Sequence, residues 1–435
     1  MGKFNFFGWH RENQAPPLFP GAWGGLVLLA LGNIPAFAEE SLRLSGFGTL
    51  GYAYDDKPDI APARDVNQLP KNGYATAPGW LVDSRLGVQI EYGVSPNIDL
   101  VGQLVLRDQF RADFNSSTEL AYASIRAQPQ LDIRVGRINY DAFMMSDYRN
   151  VGYAYLWVRP PREFYGWTPI FSVNGIDAAY NLLTDDFLAD DARWRVKVQA
   201  GSSSYSAPLG GKNGGYDFNT DNLTALSVTR QSGSWRLKAA HSRYTKDGEI
   251  PLFNPLFQGL ESVAAAGIPL VSAEAADLRK NVTVRAKTSY TTLGAVYDDG
   301  TWLLQGELGY STSAVNAAQH GRMGYLSIGR RLGDWTPFVM LAAAVPDNDI
   351  RYAAADWGAY NAKLRDPTLN IINATRIEQS TLSVGARWDF SRQAALKLQW
   401  DRTNVQPSGF GLWWRAPGSP TSRIDLLTAT LDFMF

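Results

Sequence analysis

Cysteine is absent from the chain, and that omission removes disulfides, thiolate metal sites and cysteine nucleophiles together. Histidine is almost absent, with His10, His241 and His320 the only three. An excess of one charge is also missing: 41 basic side chains stand against 42 acidic ones, a formal net charge of −1. A nucleic-acid partner is therefore not expected, because binding one requires a basic excess. Beyond the N-terminal region no segment is apolar over the ~20 residues a spanning helix needs, so any membrane insertion must be by strands. No metal site and no cofactor is expected from the residues that remain.

What the chain does carry is 40 Gly, 20 Tyr, 20 Phe and 14 Trp, the usage of a barrel with aromatic strands and glycine at strand ends. Its 435 residues fit one large barrel as well as several globular domains. The first residues read as an export signal: Lys3, His10 and Arg11 precede the apolar GGLVLLALG and then Ala36-Phe37-Ala38. The expectation is a signal peptide over 1–38, cleaved after Ala38, and a mature barrel over 39–435.

From there the sequence alternates apolar and polar residues in stretches of about ten, as the strands of a membrane barrel do. Leu86, Val88, Ile90, Tyr92 and Val94 share one face, and Arg85, Gly87, Gln89, Glu91 and Gly93 the other. Tight turns such as SPN at 95–97, PQ at 129–130 and LGD at 332–334 alternate with long segments near 55–80, 141–170, 248–280, 349–374 and 407–421. That asymmetry predicts a transmembrane antiparallel β-barrel of about 16 strands, all-β, with short periplasmic turns and long extracellular loops. Aromatic residues close to the short turns, among them Tyr92, Trp235, Trp302, Trp335 and Trp388, share the apolar parity, which suits a girdle at the lipid boundary. The segment 251–280 is the one helix-like stretch, in the fifth long loop.

SGFGTLGYAY in the first strand, LDIRVGRI, and the closing LTATLDFMF ending on Phe435 resemble the Gram-negative outer-membrane porins. That resemblance implies a sixteen-stranded barrel in the bacterial outer membrane, a homotrimer with one water-filled pore per subunit, and passive diffusion of small hydrophilic solutes or ions. It makes Leu431, Phe433 and Phe435 the signal that the barrel-assembly machinery reads. It also makes the segment 141–170 the third loop, folded inward to narrow the pore. The family's Pro-Glu-Phe-Gly-Gly run is replaced here by PPREFYG, with Glu163, Phe164 and Gly166 the matching chemistry.

In that loop Asp141, Asp147 and Glu163 stand against Arg149, Arg159 and Arg162. Both signs of charge in an inward loop would set a transverse field across the pore. On the inward parity of strands two to five lie Arg85, Arg107, Arg126 and Arg134, with turns that set Arg85 opposite Arg107 and Arg126 near Arg134. Like charges across a ladder need water or an acidic partner, so the four are expected to form a basic ladder along the pore and to favour anions weakly. Gly46 and Gly48 share the outward parity of Leu44 and Leu50, and glycines on an outer face admit close approach by another subunit.

Two rivals remain. A barrel hydrolase would need His241 with a neighbouring nucleophile, but Ser242 must point to the opposite face of a strand, so the chain is not expected to be an enzyme. A structural or adhesive barrel that does not conduct would need bulky apolar residues filling the lumen, whereas inward parity reads mainly Arg, Gln, Glu, Ser, Thr and Gly.

Overall fold

Trp335–Pro346 shows why these segments become strands. Thr336, Phe338, Met340, Ala342 and Ala344 are buried, while the residues between them are exposed, the period of two that a pleated strand imposes. The structure, a computed structural model, describes residues 41–435 apart from 56, 58, 69–78, 185–191, 209–214, 248–249, 284, 316–317, 319, 416–418 and 420. The expected signal peptide over 1–38 lies outside the described residues.

In chain order the strands are β1 (Leu42–Asp55), β2 (Ile60–Pro62), β3 (Arg85–Ser95), β4 (Ile98–Arg107), β5 (Thr118–Gln128), β6 (Leu131–Asn139), β7 (Ser172–Thr184), β8 (Ala192–Pro208) and β9 (Gly215–Ser232). There follow β10 (Trp235–Asp247), β11 (Ala286–Asp298), β12 (Trp302–Ser313), β13 (Gly321–Arg330), β14 (Trp335–Pro346), β15 (Ile377–Trp388), β16 (Ala394–Phe410), β17 (Trp413–Arg415) and β18 (Arg423–Met434). All but β2 and β17 join one closed antiparallel barrel, sixteen strands as expected, in which β1 pairs with both β3 and β18. Closure leaves no sheet edge. The short β2 and β17 pair with each other.

The outer wall carries leucine, valine and isoleucine, with Leu308 at 67% and Leu326 at 61% among the most exposed, as a lipid-facing band requires. Near the short turns the aromatic girdle is in place: Trp335 stacks on Trp388 at 5.3 Å, and Trp235 packs on Tyr297 at 4.9 Å. Gly46 and Gly48 do lie on the outer wall. Their space is taken, however, by rings of the same chain: Phe435 covers Gly46 and Phe433 covers Gly48, so closely that a Cβ at either glycine would collide with the ring. The glycines thus admit the closing strand's own rings.

On the loop side the fifth long loop forms two helices, α1 (Asn254–Ala265) and α2 (Val271–Asn281), which pack with α3 (Asp366–Ala374) from a later loop. Phe257, Leu260, Leu278, Trp357 and Ile372 make a core separate from the barrel's. Glu274 ties this cap together, accepting from the Trp357 indole N–H at 2.9 Å and from the Ala354 N–H at 2.7 Å. Burial alone would raise the Glu274 carboxyl, but those donors outweigh it and hold it below the ordinary glutamate range. A lowered carboxyl contributes stability that is present at neutral pH and is lost as pH falls through that lowered value. The Trp357 indole N–H resonance should therefore shift in acid. Glu274→Gln should move it already at neutral pH, and an unchanged resonance in both would refute the tie.

Candidate functional site: the barrel interior

Residues 140–171, between β6 and β7, enter the barrel and are buried almost throughout. They follow the inner wall. At the start, Asp141 receives Lys238 Nζ at 2.5 Å, Lys197 Nζ at 3.1 Å and the Ser227 hydroxyl. Next, the Met144 N–H donates to Glu307 on β12 at 2.8 Å, and the Tyr165 hydroxyl donates to the same carboxylate. Trp157 Nε1 donates to Ser327 on β13 at 2.7 Å. At the seam, Lys397 on β16 donates to the carbonyls of Gly152 (2.6 Å) and Trp157 (2.8 Å) and pairs with Asp432 at 3.2 Å. Lys397 is fully buried. A buried ammonium of this kind is tolerated only when it is paired and hydrogen-bonded.

Arg159 makes four hydrogen bonds. Its Nε and Nη2 donate to the two oxygens of Asp83 at 3.0 and 2.6 Å, Nη1 donates to Asp401 at 2.9 Å, and Nη2 also reaches Thr428. Only a planar guanidinium can serve two carboxylates in this way. Asp83, just before β3, also accepts from Arg64 at 3.0 Å, and Arg64 reaches the Tyr155 hydroxyl at 2.9 Å. The first loop is thereby tied to the third.

Apolar packing adds to these bonds. Phe143, Trp157 and Phe164 pack on Tyr290, Tyr325, Phe338 and Met340 of the wall, with Phe143 and Tyr290 at 5.4 Å and Phe164 and Tyr325 at 5.5 Å, both edge to face. Side chains inside the barrel that keep solvent contact lie elsewhere: Gln89, Gln103, Tyr122, Arg134, Arg195 and Arg236 on the wall, and Asp147 and Tyr148 on the loop. Arg236 meets the Tyr148 hydroxyl at 3.3 Å. An uncovered strip of wall therefore faces one acidic and one phenolic side chain of the loop.

No family model and no curated protein matches the chain. Solved structures do. OmpF of Salmonella typhi, in complex with daunomycin, superposes with a TM-score of 0.51 at 12% identity, covering 91% of this chain and 97% of that one. An anion-selective porin from Comamonas acidovorans gives 0.50 at 11% identity, covering 91% and 99%. The fold is that of the Gram-negative outer-membrane porins.

Within this porin fold the loop and ladder residues singled out from the sequence take the following places. The loop charges lie inside the barrel, and most are locked. Arg149 lies 3.4 Å from the centre of the Phe171 ring and donates to the Ile170 carbonyl at 3.3 Å. Arg162 stacks on Trp413 and donates to the Ala63 carbonyl at 3.3 Å. Glu163 accepts from Gln379 at 2.6 Å and from the Thr381 hydroxyl. With Asp141 and Arg159 these are buried, so they do not face a common aqueous gap; Asp147, which accepts from Asn139 at 3.1 Å, is the exposed one.

The basic ladder is corrected in a similar way. Arg85 and Arg107 are direct partners across β3 and β4. Arg85 is nevertheless buried with its guanidinium on the Asp83 carbonyl, and Arg107 is paired with Glu119 at 3.3 Å and Asn150 at 2.9 Å. Arg126 and Arg134 lie near one another as a diagonal pair across β5 and β6, with Asp132 directly opposite Arg126 and Ser124 directly opposite Arg134. Arg134 is held by Asp177 through Nε at 3.0 and 3.1 Å. A bulge between Arg126 and Gln128 sets that register.

The expectation of a mainly polar lumen fails along β13 and β14, where Met323, Tyr325, Phe338 and Met340 point inward beneath the loop. Asp83 and Asp401 were missed. Asp401 shares the inward parity of Lys397 and Gln399 and could have been found that way, whereas Asp83 lies outside any alternating run. The hydrolase rival gains nothing here. His241 bonds Thr291 at 2.8 Å on one face of β10, while Ser242 bonds Tyr140 on the other.

Proposed function

We propose that the protein is an outer-membrane channel for passive diffusion of small hydrophilic solutes, with a weak preference for anions and no enzymatic activity. The observation that carries this reading is the uncovered strip of polar wall opposite Asp147 and Tyr148, in a barrel whose other half is occupied by the third loop. Toward the turn side the wet wall adds Arg43, Arg126 and Arg193, which with Arg134, Arg195 and Arg236 outnumber Glu91, Asp99 and Asp132. A modest basic excess favours anions at a narrow pore. In this reading residues 1–38 are removed after Ala38 on export, the barrel-assembly machinery recognises Leu431, Phe433 and Phe435, and three copies sit together in outer-membrane lipid.

Purified protein in a planar bilayer under a salt gradient tests the proposal. Channel events with a reversal potential on the anion side are expected, and Arg195→Gln with Arg236→Gln should move that potential toward cations. A cation-side potential in the unaltered protein would remove the anion clause. The dense packing of Phe143, Trp157 and Phe164 favours a second reading, a structural barrel that does not conduct, and the absence of channel events would decide for it.

A further inference from the structure

Outside the barrel, at the loop end of β5, β6 and β7, the wall dips into an open cavity of about 580 Å³. Gly136 and Gly175 are direct ladder partners at its floor. Val135 and Ala121 are exposed on its sides, and the Phe114 ring, 76% exposed, stands at its edge. Ala121, Arg137, Asn174 and Ser202 form one outward rung across four strands. The next outward rung toward the turns is Ala123, Val135, Ile176 and Ala200. Polar gives way to apolar within one step, which marks the level where headgroups meet hydrocarbon. A charged side chain on the outer wall of a membrane barrel is costly at mid-membrane and tolerated only near such a boundary.

Arg137 is the cation on that boundary, and the protein fixes its position without neutralising it. Nε donates to the Ser172 hydroxyl at 2.9 Å, and Nη1 donates to the Asn115 carbonyl and side-chain oxygen, both at 2.9 Å. No ion pair engages Arg137 among the described residues, and Nη2 keeps no partner there. A preset guanidinium with a spare donor matches a phosphate, and the apolar walls below it match acyl chain.

We propose that this groove binds a phosphate-bearing lipid of the outer leaflet, with the phosphate on Arg137 and a chain against Val135, Ala121 and Phe114. Charge complementarity at the rim, together with an apolar floor at hydrocarbon level, favours lipid over a second copy of the chain. The site is independent of the pore.

Native mass spectrometry of the full protein in detergent, with three added probes, separates the parts: diacyl phosphatidic acid carries both features, diacylglycerol only the chains, and inorganic phosphate only the charge. Retention of phosphatidic acid alone is expected. Arg137→Gln should weaken it about fivefold, the contribution of one cation at an anionic surface, and Ala121→Trp, which fills the groove from the outside, should abolish it. Bilayer conductance should be unchanged in both variants, which also shows that they fold. Equal retention of diacylglycerol, or undiminished binding by Arg137→Gln, would overturn the proposal. So would an Ala121→Trp chain that changes oligomeric state while still binding lipid, because a subunit would then occupy the face.

Discussion

Replacing Arg159 by alanine is expected to free the third loop from the seam of the barrel and raise single-channel conductance. The side chain is almost fully buried, and it satisfies Asp83, Asp401 and Thr428 together. Its removal leaves buried Asp401 without its cation and Asp83 with Arg64 alone, and breaking a buried pair in this way costs roughly 3–5 kcal/mol. Admitting water relieves the penalty, which means moving the loop off β16 and β18. A lower unfolding midpoint and a larger or noisier conductance should therefore appear together. Arg159→Lys retains the charge but not the fork that spans two carboxylates, so it should lie between the two. Asp401→Asn leaves one carboxylate for the guanidinium and should cost less than Arg159→Ala. A lowered midpoint with unaltered conductance would mean that the loop does not set the width of the path. The buried partners of Arg149 and Arg162 argue that neutralising those residues perturbs packing, while selectivity responds to the wet residues Arg195 and Arg236.

The strand count, the turn and loop sides and the outward face of nearly every strand were legible, because alternation along ten residues and the length of the separators are local properties. What lies opposite what was not. Asp83 and Arg159 are 76 positions apart, and Arg159 and Asp401 are 242 apart; no local pattern brings them together. The direct partner of Arg126 was not legible for a different reason. A slip of one residue in register exchanges the faces of a strand, but a slip of two preserves them and changes only the partner. Parity therefore placed Arg126 and Arg134 on the correct face and could not detect that Asp132 and Ser124 are their partners. The polar lumen failed for a third reason. In Trp335–Pro346 both parities are apolar, with Val339 and Leu341 outward and Phe338 and Met340 inward. Such a strand announces burial on both sides, lipid on one and the loop on the other, and this was the sequence sign that the third loop would be packed against the wall.

Deleting Phe435 is expected to impair barrel closure strongly while leaving the conductance of correctly closed molecules unaltered. Phe435 makes two kinds of contact at the seam. Its N–H donates to the Gly46 carbonyl at 2.9 Å and its carbonyl accepts from the Gly46 N–H at 2.8 Å, a reciprocal rung between β1 and the end of β18. Its ring also covers Gly46, as the Phe433 ring covers Gly48. Deletion leaves both Gly46 groups without partners where water is scarce, and unpaired backbone in a membrane costs several kcal/mol per group. The seam is the last pairing to form in a closing barrel, so the loss should appear in the yield of folded protein after refolding into vesicles. The two contributions can be separated. Phe435→Ala retains the backbone rung and loses the ring, so it should be milder than deletion. Gly46→Val retains the ring but places a side chain where the ring lies, forcing it outward, and should match or exceed Phe435→Ala. Were Gly46→Val to fold as well as the unaltered chain while the deletion failed, the backbone rung alone would account for closure, and the glycine would have no part in it. Full yield from the deletion would remove the seam argument itself, because the sheet would then close without its final pair.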